Sequence, residues 1–279
     1  MMLASVSGLY SQAPTAEHSA AGYIGFDRND YPGDVDLKIL RRTFSYSGYW
    51  LNNPPGAKRN SWVGKRKAIQ SAGFGFLILF NGRSYAEIKS AGDAAKLGRS
   101  DAAAAAKAAL SEGFPPDSII FLDQEQGGRL LPEQRSYLLA WVDGVTAAHF
   151  GAGVYCSGIA AKEGSGVSVV TAEDIRKNAG ARKIKYWVVN DSCPPSPGCT
   201  VSQKNLTSVA SGLAFADVWQ FAQSPKRTDF AKGCSATYNR AAYNNDGNCY
   251  PPDILPARRL HVDLNVATSS DPSHGRSPE

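Results

Sequence analysis

No stretch of this 279-residue chain approaches the roughly 18 consecutive apolar residues that a helical membrane span needs, so an integral membrane protein built on helices is excluded. Close Cys-x2–4-Cys pairs are also missing, which argues against a zinc site made from the five cysteines. There is no Gly-x-Ser-x-Gly elbow around Cys156-Ser157-Gly158, and no Lys-Ser/Thr follows Gly164-Ser165-Gly166. Histidine is scarce at four residues, leaving Cys156 with few partners, His149 and His261, and a reading as a buried, unpaired thiol. No internal repeat and no Pro/Gly-rich linker divides the chain. A basic n-region is lacking before the apolar stretch from Met1 to Tyr10, although Ser11-Gln12-Ala13 offers a small-x-small cleavage site. Residues 1–21 are therefore read as a leader or a disordered N-terminal segment.

What is present is an ordinary globular composition, 43% hydrophobic and 20% charged, in a chain of the length of one α/β barrel with loops, usually about 250 residues. The net charge of +5 fits solubility, or an anionic partner such as a cell-wall polymer. The basic run Lys65-Arg66-Lys67, with Arg41, Arg42, Lys58 and Arg59 nearby in sequence, reads as helix-face charge and not as a nucleic-acid site. Cys193 and Cys199 bracket a Pro-rich loop, and Cys234 and Cys249 a polar one. Two local disulfides are expected, hence a secreted or cell-envelope location.

Short apolar runs alternate with helical patterns. Strands are expected at Tyr23–Asp27, Tyr46–Leu51, Gly75–Phe80, Ile119–Glu125, Ala152–Cys156, Lys185–Asn190, Phe215–Phe221 and Leu260–Asn265. Helices are expected at Val35–Phe44, Ser61–Ala72, Asp101–Glu112, Pro132–His149 and Thr171–Asn178, the last with Thr171 as N-cap. Eight strands separated by helices give an α/β fold, an irregular (β/α)8 TIM-like barrel in one domain over residues 22–267, with a doubly wound sheet as the alternative. Residues 268–279 lack periodicity and read as a disordered tail.

Acids recur where these strands end: Asp27, then Asp123 with Glu125, then Asp263 followed by Asn265. Residues two apart on a strand share a face, so Asp123 and Glu125 should emerge together, and two carboxylates that close push one pKa upward. Barrel geometry gathers strand ends onto one face, where Trp50, Asn81, Tyr155, Asn190, Trp219, Gln220 and Asn265 would add aromatic and amide groups suited to a carbohydrate. The plain alternative is that Asp123 and Glu125 are ion-paired with Arg129 or Arg135.

Gly25-Phe26-Asp27, Phe121-Leu122-Asp123-Gln124-Glu125, Gly153-Val154-Tyr155, Trp219-Gln220-Phe221 and Val262-Asp263-Leu264-Asn265 together resemble the family 25 glycoside hydrolases, lysozyme-type muramidases on an irregular barrel, and more closely their glycoside-hydrolase-like relatives. The resemblance implies Glu125 as general acid, Asp123 as the group that orients a substrate N-acetyl or stabilises positive charge, and Asp27 and Asp263 as pocket acids that tune them. It also implies a glycan partner, polysaccharide or peptidoglycan-like, hydrolysed by a monomer without metal or other cofactor. A non-catalytic carbohydrate-binding barrel that keeps the pocket is the rival. After Asp27 the chain departs from the muramidase pattern, reading Arg28-Asn29-Asp30-Tyr31-Pro32-Gly33.

Overall fold

The computed structural model describes residues 21–191, 198–201, 206–223, 249–252, 254 and 258–277. Eight strands close into a barrel in the order β1-β10-β9-β8-β5-β4-β3-β2. They are β1 (Tyr23–Asp27), β2 (Tyr46–Trp50), β3 (Gly75–Asn81), β4 (Ile119–Asp123), β5 (Gly151–Ser157), β8 (Ile184–Val189), β9 (Val218–Ala222) and β10 (Asp263–Ala267). Between β5 and β8 lies a small antiparallel hairpin, β6 (Ala160–Lys162) with β7 (Ser168–Val170), that the apolar pattern does not announce.

Local chemistry accounts for the helices. In α3 (Tyr85–Ser90) Ser84 and Glu87 form a reciprocal capping box. Asp93 caps α4 (Ala94–Glu112), which ends at Gly113 in the left-handed conformation, φ 78°. Pro132 opens α5 (Pro132–Ala147), where its missing N–H is no loss. Helices α1 (Asp34–Leu40) and α2 (Arg66–Ser71) are shorter than the expected segments. Helix α6 (Thr171–Asn178) begins as expected, but Thr171 does not cap it; its hydroxyl donates to the Gly128 carbonyl at 3.0 Å.

The last barrel strand departs from expectation. Neighbours from β1 through β9 run parallel, whereas β10 is antiparallel to both β1 and β9. Asp263 therefore stands at the start of its strand, not its end. The register pairs it with Asp27, so it reaches the same barrel face by the opposite chain direction.

Residues 268–277, expected as a disordered tail, are instead part of the fold. Pairing of β3 with β4 begins only at Ile78↔Ile120, leaving a gap at the foot of the barrel. The tail fills it. Ser273 N donates to Phe76 O at 2.9 Å, and Ser273 O accepts from Ile119 N at 2.8 Å. Phe76 N donates to Asp271 and Ile78 N to the Ser273 hydroxyl, each at 2.8 Å. Gly75 is required here: a Cβ would lie 2.0 Å from Ser270 O. Arg66, from the basic run, is buried beneath the tail, donates to Gly275 O at 2.8 Å and sits over the rings of Phe76 and Phe114. Arg41 likewise donates to backbone carbonyls of Gly73 and Phe44. The two residues serve packing.

The cysteine pairing also needs correction. Cys199 bonds Cys249 across 50 residues, with Cα atoms 5.5 Å apart, so neither expected local disulfide forms; Cys193 and Cys234 lie outside the described residues. Loop spacing carries no information about which cysteines meet in space. Cys156 is buried and free, and burial pushes its thiol far above the range in which a thiolate forms.

Two outcomes follow from this arrangement. Removing residues 268–279 leaves the N–H groups of Phe76, Ile78 and Ile119 without partners, each costing about 1–3 kcal/mol when buried; a marked drop in melting temperature is expected, and an unchanged melt would show the tail to be dispensable. Peptide mapping without reduction should recover a Cys199–Cys249 crosslink, whose reduction is expected to destabilise the protein by up to about 4 kcal/mol for a loop of this length.

Candidate active site

Barrel alternation sends one residue in two from each strand inward, and at the upper layer these are polar. Asp27 on β1 is buried and accepts from Gln220 Nε2 on β9 at 2.9 and 3.1 Å and from Asn265 Nδ2 on β10 at 2.8 Å. Both amides are held from behind. Trp187 Nε1 on β8, a donor only, donates to Asn265 Oδ1 at 2.8 Å, and Tyr155 Oη on β5 donates to Gln220 Oε1 at 2.7 Å. With their oxygens so engaged, both amides must present N–H groups to Asp27. Gly48 on β2 makes room for that carboxylate, since a Cβ there would meet Asp27 Cβ at 2.7 Å.

Asp123 closes β4, three strands round the barrel from β1. It is 7% exposed, and its Oδ1 is buried without a hydrogen-bond partner among the described residues. Burial, then the charge of Glu125, then that of Asp27 push its carboxyl well above the usual range. Asp27 moves less, from 3.8 to about 6, because the amides of Asn265 and Gln220 offset part of its burial. Glu125 lies two residues beyond the strand end and is exposed. The expected competition between paired acids thus falls on the inner one, whose carboxyl is pushed toward its protonated form. Arg129 and Arg135 do not neutralise the pair, for Arg129 meets Glu163 at 3.2 Å and Asp174 at 3.7 Å, and Arg135 meets Asp174 at 3.9 Å.

These groups surround a cavity of about 210 Å³ whose lining includes Asp27, Asp123, Glu125 and Asp263, with Trp50, Tyr155 and Gln220. Seven of the eleven expected residues therefore meet. Asn265 sits directly behind Asp27. The other three are engaged elsewhere. Asn81 Nδ2 donates to Asn53 O at 2.9 Å, and Asn81 lines a neighbouring recess that also reaches Asp123 and Glu125. Asn190 Nδ2 donates to Ser211 O at 2.8 Å. Trp219 is wholly buried and donates to Asn190 O at 2.8 Å; next to inward-facing Gln220, it occupies the outer side of β9.

Trp187 and Arg28 line the cavity and were not singled out as site residues. Trp187 lay within an apolar run, where composition alone does not say which face looks inward. Counting back by twos from the expected strand end selects Asn190 and Val188, whereas the strand ends one residue earlier and places Trp187 inside.

The fold has counterparts among known proteins. The Rv2525c-like, glycoside hydrolase-like domain matches residues 46–196, more than half of the chain. Among solved structures, an uncharacterised B. stearothermophilus protein superposes with a TM-score of 0.53 at 18% identity, covering 88% of this chain and 96% of the other. The Mycobacterium tuberculosis Tat-secreted protein Rv2525c, in complex with L-tartrate, gives 0.50 at 13% identity over 90% and 97%. A bacterial lysozyme from Streptomyces coelicolor gives 0.49 at 14% identity over 89% and 93%, too distant a superposition to argue from. No curated protein gives a sequence match.

The buried acids impose a pH dependence on stability. A carboxyl raised on folding holds its proton more tightly in the native state, so stability is complete below pH 4 and declines as pH rises through about 6, by about 3 kcal/mol for Asp27 alone. Asp123 acts in the same sense. Asp123→Asn should accordingly match wild type at pH 4 and exceed it in melting temperature at pH 8; a variant less stable at pH 8 would show that the Asp123 carboxyl is not buried at a cost.

Proposed function

The chain belongs to the Rv2525c-like, glycoside hydrolase-like family, and from that premise we propose that it hydrolyses glycosidic bonds in a cell-wall or related polysaccharide by carboxylate acid/base catalysis. The observation that carries this reading is the pairing of a buried, unpartnered Asp123 with an exposed Glu125 on one cavity that also holds Asp27 and Asp263. Glu125 is the general acid. It stands exposed at the lip of the cavity, where a sugar ring laid over it would displace water. Asp123 is placed to meet the substrate from below. Its Oδ1 awaits a donor or acceptor such as an N-acetyl group, and ionisation there would stabilise an oxocarbenium-like transition state.

Asp27 acts through position. Held by two oriented amides, it supplies a fixed negative field next to Asp123 and tunes that residue's ionisation. Trp50, Trp187 and Tyr155 line the cavity and give it aromatic walls of the kind that suit sugars. The reaction needs neither metal nor organic cofactor. A disulfide between Cys199 and Cys249 suits an oxidising compartment, and among the described residues no helix is long and apolar enough to cross a membrane. Secretion toward a cell-envelope glycan is the setting that fits.

Glu125→Gln separates this reading from a barrel that binds glycan without cleaving it. Release of reducing ends should fall by about 10²–10⁴-fold, the usual worth of a general acid, while binding survives. Turnover unaffected by the substitution would remove Glu125 from the mechanism. Wild-type binding without turnover across a broad glycan panel would establish the non-catalytic barrel instead.

A further inference from the structure

Arg28 has no task in the chemistry just described, yet it follows Asp27 directly and lines the same cavity. Among the described residues lining that cavity, Arg28 and His261 are the only basic ones. The backbone that carries the guanidinium is clamped by two indoles: Trp50 Nε1 donates to Arg28 O at 3.1 Å, and Trp62 Nε1 to Asn29 O at 2.9 Å. Trp62 is fully buried, so the clamp is anchored in the core. Arg28 Nε is buried and has no hydrogen-bond partner among the described residues. That atom is closed to solvent, so a ligand would meet the guanidinium through its terminal nitrogens.

We propose that Arg28 recognises a carboxylate on the substrate glycan, so that the site selects acidic sugars over neutral ones; this rests on reading the cavity as a glycan site. The planar fork of a guanidinium matches a carboxylate with two parallel hydrogen bonds, which an uncharged hydroxyl cannot accept as strongly. Other acids do not fill that role. Asp30, Asp36 and Asp263 act on Arg28 through space and favour its charged form against burial. Asp36 is itself paired with Arg258 at 2.7 Å, and Asp30 is exposed to solvent. Burial and neighbouring charge push the Asp123 carboxyl upward, and the Asp27 oxygens are met by two amides, so Glu125 and Asp263 are the lining acids that an incoming carboxylate must chiefly avoid. The net charge of +5 adds a long-range attraction for an anionic polymer.

The experiment measures binding on the Glu125→Gln protein, so that turnover does not enter. Calorimetric titration compares a neutral chito-oligosaccharide, a glucuronate-containing oligosaccharide of equal length, and a muramic-acid-containing fragment. Adding Arg28→Gln should lower affinity for a carboxylated ligand by about tenfold or more, the worth of a charge-assisted hydrogen bond, and for the neutral one by less than about threefold. Arg28→Lys, which keeps the charge and guards against a folding defect, should retain the preference in reduced measure. A response confined to the glucuronate or to the muramic-acid ligand supports the proposal and identifies where the carboxylate is carried. Equal losses on all three ligands, or none, would overturn carboxylate recognition and leave hydrolysis standing. Failure of every ligand to bind before Arg28 is changed would remove the glycan reading, and this inference with it.

Discussion

Asp27 is the point on which the upper barrel turns. A carboxylate buried at the junction of β1 and β10 is tolerable only if its oxygens are met by donors, and the donors come from Gln220 and Asn265 on two other strands. Those amides are in turn aligned by Tyr155 and Trp187 on two more. Five of the eight strands are thereby fixed relative to one another by polar contacts alone. A barrel that closes through an antiparallel strand and a register shift on its β9–β10 side gains a defined geometry where its hydrogen-bond ladder is least regular.

The same network divides labour among the acids. Asp27 is satisfied, Asp123 is not, and Glu125 stands in water. Three carboxyl groups of similar intrinsic acidity are spread by environment into three behaviours within one cavity. Desolvation dominates for the two inner ones; Asp27 is then eased by the hydrogen bonds it receives, whereas Asp123 is pushed further by the charges of Glu125 and Asp27.

Most of the scaffold was readable because buried strands advertise themselves as apolar runs bounded by turn residues. The strands β1, β2, β3, β4, β5 and β8 fall within a residue or two of the expected bounds. The acids were readable for a related reason: a charge that interrupts an apolar run marks where a strand leaves the core. Three kinds of information were absent from the pattern. Strand direction was one, since side-chain alternation is the same read either way, and β10 entered the barrel reversed. Partner identity was another, for Cys199 meets a cysteine 50 residues away and the spacing favoured its neighbour. The third was structure held by backbone contacts. Residues 268–277 show no periodicity because their main-chain groups, with a few short polar side chains, satisfy the foot of β3 and β4. Trp219 and Asn190 misled because a strand end offers two faces, and only register decides which looks inward.

The position of β10 in the chain has a consequence for biosynthesis. The bond between Asn265 and Asp27 spans 238 residues, and β10 is the strand that joins β1 to β9. Until β10 leaves the ribosome, β1 and β9 present edges that no other described strand of the barrel pairs. At elongation rates of about 5–20 residues per second, the nascent chain spends many seconds in that open condition. Such a chain must either delay packing its other strands or be shielded while it waits. Closure of its barrel is timed by the synthesis of β10, and its solubility before that moment depends on what attends the exposed edges.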